Sequence, residues 1–252
     1  MMRAVRHLSR MAALLVLAGC DTPASEPPAS DALLSVHPRD FALLPCAGVA
    51  VPEACAIVKA GGKTLLIGAP EGAHHALERV GVESPDLVLL PDLSAARLEG
   101  LLRVRNGSWQ AGRSAPLALV GPEGTQAVGE ALDRAMERAD ADAHLRQSPS
   151  GGFAVAVFRA ADLDGAAAKP VFDTGDLLVT GQADGAGAAS FRIHYGGLVL
   201  GIAGCGFRPG NGDGQPAASD RSLSCQGDDL VWPIAPPGVL LMSEGRAMTE
   251  KN

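Results

Sequence analysis

Short apolar runs separated by glycine, proline and aspartate breaks dominate the chain, and their lengths predict strands interleaved with a few helices. The densest stretch is residues 54–100. Residues 56–58 (AIV) and 64–67 (TLLI) are apolar and partly β-branched, and Gly61 and Gly62 between them are a hairpin signal. Residues 71–80 follow a helical pattern. Residues 86–90 (DLVLL) are almost wholly apolar, as suits a strand covered on both faces.

Residues 101–110 read as a helical or irregular connector, and residues 115–120 (APLALV) as the next strand. GPEGT at 121–125 then leads into a helix to about residue 138, with Val128, Leu132 and Met136 recurring on one face. Residues 140–152 are polar and predict a loop. Further strands are predicted at 153–158, 171–172 with 177–180, 190–195 and 198–203, the last two joined by Gly196 and Gly197 as a tight hairpin. Residues 207–229 form a long Gly- and Asp-rich loop, and residues 239–242 (VLLM) a final strand.

Composition sets the scale. With 252 residues, 47% hydrophobic and 19% charged, one large core is available, and a layered α/β domain over residues 39–252 needs no second domain. Aromatics are only 4%, so that core must rest on Leu, Val, Ile and Ala.

Residues 1–20 stand apart. Arg3, Arg6 and Arg10 precede a short apolar run at 11–18, and small residues lead to Cys20 in LAGC. This resembles the signal peptide and lipobox of a bacterial lipoprotein. The resemblance implies cleavage before Cys20, a lipid on its thiol, and membrane attachment on the periplasmic side of the envelope, with inner or outer membrane left open. The competing reading is an uncleaved anchor helix, which falls short of the ~20 residues that span a bilayer. Residues 21–38, opening with DTPASEPPAS, read as a solvated tether.

Removing residues 1–20 takes three of the 21 basic residues and none of the 28 acidic ones, leaving 18 against 28, a net charge of −10. No Lys/Arg cluster is visible along the chain, so nucleic acid is excluded as a partner. Four cysteines remain: Cys46, Cys55, Cys205 and Cys225. In an exported chain they predict two disulfides, and proximity favours Cys46–Cys55 and Cys205–Cys225 among three pairings. The alternative is a four-cysteine zinc site, for which no Cys-x-x-Cys pair is present.

The order of hairpin, Glu71-Gly72 loop, helix, DLVLL, loop and Glu99-Gly100-Leu101 resembles the opening of the metallo-β-lactamase fold, most closely its ribonuclease Z-like branch. The strand–GPEGT–helix unit and RIHYGGLVLGIAGCG at 192–206 resemble later landmarks of the same family. The resemblance implies an αββα sandwich, two mixed β-sheets flanked by helices, with zinc held by His and Asp at the strand ends. One family Asp falls on Gly68, and the His-x-His-x-Asp-His cluster falls on Asp92, Ser94, Ala96 and Arg97. The metal-bridging Asp falls on Cys205, and Ser243-Glu244 stands where relatives often show His-Glu. The metal-binding side chains are mostly replaced.

The candidate cleft therefore comprises Glu71, His74, His75, Asp92, Ser94, Arg97, Ser243 and Glu244. His74 and His75 are adjacent, and helix neighbours point about 100° apart, so at most one faces the cleft. Asp92 and His75 are the metal candidates; the other readings are a cap or salt-bridge role for Asp92 and an exposed helix face for the histidines. Arg97 puts a permanent cation where a ligand would stand, which disfavours a divalent metal and could receive an anionic group. GPEGT could cradle a phosphate at a helix N-terminus, or be a plain turn, since it lacks the Gly-Lys-Thr/Ser of a P-loop. Three functions follow: a non-catalytic lipoprotein binding a small molecule or protein, without cofactor; a metal-dependent hydrolase with a partial zinc site drawn from Asp92, Glu71 and His75; and a structural envelope lipoprotein with a filled cleft.

Overall fold

The computed structural model describes residues 34–165, 167–208, 219–225, 229–243 and the backbone of 246–247. The predicted signal peptide with Cys20, tether residues 21–33 and Glu244 lie outside the described residues. Among the described residues no helix is long and apolar enough to cross a membrane.

The chain opens with β1 (Phe41–Pro45), β2 (Ala56–Ala60) and β3 (Lys63–Ile67), followed by α1 (Ala73–Arg79), β4 (Leu87–Leu89), α2 (Ala95–Leu98) and α3 (Leu101–Gln110). β5 (Leu117–Gly121), α4 (Thr125–Gln147) and β6 (Phe158–Asp162) complete the first half. Among the described residues of the second half the regular elements are all strands: β7 (Lys169–Asp173), β8 (Leu177–Ala183), β9 (Ala189–Tyr195), β10 (Leu198–Ala203), β11 (Arg221–Ser224), β12 (Leu230–Val231), β13 (Val239–Ser243) and β14 (Arg246–Ala247).

They assemble as two mixed sheets, one of eight strands in the order β14-β13-β1-β2-β3-β4-β5-β6 and one of six in the order β12-β11-β10-β9-β8-β7. β3 to β6 pair in parallel through helical crossovers, whereas β1–β2–β3 and β7–β8–β9–β10 are antiparallel. The β2–β3 turn requires its glycines, since Gly61 and Gly62 both hold positive φ (56° and 70°), which makes a two-residue hairpin turn strain-free.

Alternation along the strands sorts side chains between two cores. In β2, Ala56, Val58 and Ala60 face the six-stranded sheet and meet Val179, Phe191 and Ile193. Ile57 faces the other way, into a layer with Leu66, Val88 and the helix residues Ala76, Leu77 and Val104. Strands buried on both faces explain the unbroken apolar runs at TLLI and DLVLL.

The structure corrects four expectations. Residues 140–147 are helix rather than loop, because α4 continues to Gln147 and Asp140 is buried beneath Arg105. Residues 153–155 form a 3₁₀ turn after Gly152, and the strand starts at Phe158, where the Asp133 carboxylate accepts the Phe158 N–H. Within the predicted 207–229 loop, β11 pairs in parallel with β10. The packed chain also begins ahead of residue 39: Leu34 and Val36 pack on the helix-side core, and the His37 N–H donates to Asp40 at 2.7 Å.

Candidate functional site

The strand ends that should carry the site do converge. β3 ends at Ile67, and Gly68 turns away with φ 69°, its N–H donating to the Leu89 carbonyl at 2.7 Å. Asp92 follows β4 and forms an antiparallel bridge with Ala188, while the Ala189 N–H donates to Pro91 O at 2.7 Å. At the end of β10, Gly204 approaches so closely that a Cβ there would stand 2.7 Å from the same carbonyl oxygen.

At the centre of these ends lies Arg97, a residue of α2 that is only 3% exposed. Its Nε–H donates to Asp92 Oδ2 at 2.8 Å, and Nη1 and Nη2 donate to the Ala54 and Glu53 carbonyls at 2.9 and 3.4 Å. The guanidinium carbon lies 4.9 Å from the centre of the Trp232 ring, within cation–π range. A side chain at Gly68 would collide with the Ala54 carbonyl oxygen and stand 3.2 Å from Arg97 Nη1. Arg97 and the backbone that cradles it therefore fill the space into which an aspartate at 68 would project. As a receptor for an anion at the cleft rim, Arg97 is corrected: its charge is buried, paired and stacked.

Asp92 serves two partners. Oδ1 accepts the Ser94 N–H at 3.0 Å, which fixes the turn into α2, while Oδ2 takes Arg97. Burial alone would raise the Asp92 carboxyl, but hydrogen bonds from Ser94 and the Arg97 charge together hold it below its ordinary value. Zinc does not fit this donor set. Gly68 and Ala96 offer no donor atom, Cys205 is oxidised, and the carboxylate present is already neutralised by a guanidinium standing in the site. Among the described residues no three His, Cys, Asp or Glu side chains come together as ligands.

The remaining predicted residues lie elsewhere. Glu71, His74 and His75 line a groove of about 760 Å³ with Glu99 and Arg103, a lining that includes neither Asp92 nor Arg97. Both histidines turn to Glu78 of their own helix, His74 Nε2 at 3.2 Å and His75 Nδ1 at 2.8 Å. His74 also packs over Gly107 of α3, where a Cβ would strike its ring. His75 is 74% exposed, so the structure does not bring it to Asp92 as a second ligand. Ser243 ends β13 and pairs with Arg246. Cys46–Cys55 and Cys205–Cys225 are both disulfide-bonded, the pairing that proximity favours.

Three participants were missed in the sequence. Trp232 carries no local signal, because its partner Arg97 lies in the other half of the chain. Asp184 opens the Asp-Gly-Ala-Gly turn, and its carboxylate accepts the N–H groups of Ala186, Ala188 and Arg208, tying this loop to the Cys205 turn. An Asp before Gly is a recognisable turn signal, so Asp184 could have been found. Asp162 answers the question of the GPEGT loop: its carboxylate accepts the Gly124 and Gln126 N–H groups at 3.2 and 2.7 Å. The N-terminus of α4 thus holds an anion supplied by the chain itself, and the phosphate-cradle reading is corrected.

No family model matches the chain, and no curated protein sequence does. Solved structures do. The short form of human tRNase Z is 14% identical, covering 73% of this chain and 75% of that one, with a TM-score of 0.53. The metallo-β-lactamase fold protein YhfI from Bacillus subtilis is 13% identical over 74% of this chain and 67% of its own, at 0.41. Zinc-bound PqqB from Methylobacterium extorquens is 17% identical over 67% and 55%, at 0.40. At these identities the likeness concerns the backbone and not the chemistry. The chain has the metallo-β-lactamase fold, two mixed β-sheets flanked by helices.

Proposed function

We propose that this chain is a non-catalytic protein of metallo-β-lactamase fold, held by a lipid on Cys20 at the periplasmic side of a bacterial envelope, that acts by binding a ligand or protein partner. The observation that carries the non-catalytic part is the Arg97 plug: a cation that is paired with Asp92, stacked on Trp232 and bonded to two carbonyls where the fold's metal chemistry would need an open, ligand-lined position. Binding then falls to surfaces outside the plug, since the buried guanidinium leaves no room there for a reacting group. The lipid anchor is supported by the LAGC segment after a basic and an apolar stretch, and the export it implies agrees with two disulfides.

The test is metal content and hydrolysis together. The full chain, purified with zinc present and without chelator, is expected to carry far less than stoichiometric zinc by elemental mass spectrometry and to leave phosphodiester and β-lactam substrates intact. Stoichiometric zinc that disappears in Asp92→Ala would overturn the proposal in favour of a hydrolase with a displaced site.

A further inference from the structure

At the ends of β3 and β4 remote from Gly68 and Asp92, the structure gathers positive charge that is scattered along the sequence. Lys59, Lys63, Arg113 and Arg159 line an open groove of about 780 Å³, together with His37 and against the acids Glu83 and Asp86. This excess of cations stands out on a chain of net charge −7. Two of the four are committed. Lys63 pairs with Asp86 at 3.0 Å, and Arg113 turns to Ser108 Oγ and the Ala115 carbonyl. Lys59 donates once from its ammonium, to Val80 O at 3.1 Å, and keeps further donors, while the Arg159 guanidinium has no hydrogen-bond or ion-pair partner among the described residues. α1 and α3 both end beside the groove, and their C-terminal carbonyls disfavour an anion deep inside it. An anionic partner is thereby confined to the cationic mouth.

The chain enters the fold at this same groove, since Val36, His37 and Pro38 form part of its lining. Residues 21–35 separate that point from Cys20, a reach of at most about 55 Å at full extension. We propose that this groove mouth is the face the protein presents to anionic phospholipid headgroups of the membrane that carries its anchor, with phosphodiester oxygens taking the free donors of Lys59 and Arg159. The inference rests on the lipid-anchor reading above. It orients the molecule, with the Arg97 end of the strands directed away from the bilayer.

The lysines make the test direct, because Lys169, at the other end of β7 from the turn that meets Gly61, serves as an internal control. The mature protein is reconstituted in vesicles of phosphatidylcholine alone or with phosphatidylglycerol, and lysine acetylation rates are read by mass spectrometry. On phosphatidylglycerol Lys59 is expected to react several-fold more slowly, with Lys169 unchanged. The protection should fade as salt shortens the screening length from ~8 Å and should weaken in Arg159→Glu. Equal Lys59 rates on both vesicles overturn the inference. Equal protection by glycerol phosphate in detergent, without vesicles, reassigns the groove to a soluble phosphate and also overturns it. The mass of the N-terminal peptide is read in the same experiment. A missing lipid on Cys20 sinks the anchor and this inference with it, whereas equal rates with lipid present sink the membrane face alone.

Discussion

Arg97 is the buried cation where the strand ends converge, and its neighbours set the cost of removing it. Arg97→Met leaves the Asp92 carboxylate without its cation and two inward carbonyls without donors. Loss of one partner from such a buried pair costs about 3–5 kcal/mol, to be read from urea unfolding. Adding Asp92→Leu should recover part of that loss, because the stranded charge goes with it. The pair also sets a pH dependence. The Asp92 carboxyl titrates below its ordinary value when folded, so its contribution is complete above the unfolded aspartate range and is lost as pH falls through the lower folded value. Asp133 acts in the opposite sense, because burial raises its carboxyl and acidification relieves that strain. The acid limb of stability should flatten in Asp92→Asn, and an unchanged limb would remove Asp92 from the account. Gly68→Asp is expected to destabilise by about 1–3 kcal/mol from the left-handed backbone alone, with the collision at Ala54 O added.

Among the elements, α4 shows how far a pattern can be followed before contacts take over. Its first half is anchored by Asp162 at the N-terminus and by Gly129, whose absent Cβ allows Ala160 to approach to 2.8 Å of where it would be. Its second half has no apolar stripe. It is held instead by Arg105, fully buried, which donates to Asp133 at 2.9 Å and to Asp140 at 2.6 Å. Asp140→Ala should therefore speed amide exchange over residues 141–147 and leave residues 126–133 protected, a contrast that uniform exchange would contradict. β3, β4, β5 and the β9–β10 hairpin were legible because two-sided burial and Gly-Gly turns leave continuous apolar runs, whereas β1 (FALLP), equally buried, was not predicted. The end of α4 was not, since a charged residue read as solvated gives no sign of a cation 35 residues away. β11 (RSLS) was hidden for a related reason: only Leu223 is buried there, and pairing with β10 makes the remainder a strand.

At the scale of the whole molecule, two disulfides and two poles organise what the sheets build. Cys205–Cys225, at a sequence separation of 20, closes the segment that carries β11 and should contribute about 3 kcal/mol by loop entropy. Replacing both cysteines by serine is expected to lower stability by that amount in denaturant melts, without creating a zinc site. One pole is closed by Arg97 and the other opens on Lys59 and Arg159. The sequence by itself determined many of the strands, the Gly-Gly hairpin turns, the resemblance in fold and the residue types at 68, 94, 96 and 97, because each is written in residue type and short-range spacing. Only the tertiary structure decided that Arg97 is a buried plug rather than an exposed receptor, that His74 and His75 serve Glu78, and that dispersed cations share one groove. Burial and charge pairing are set by which distant segments the chain closure brings within a few ångströms, and no local pattern carries that information.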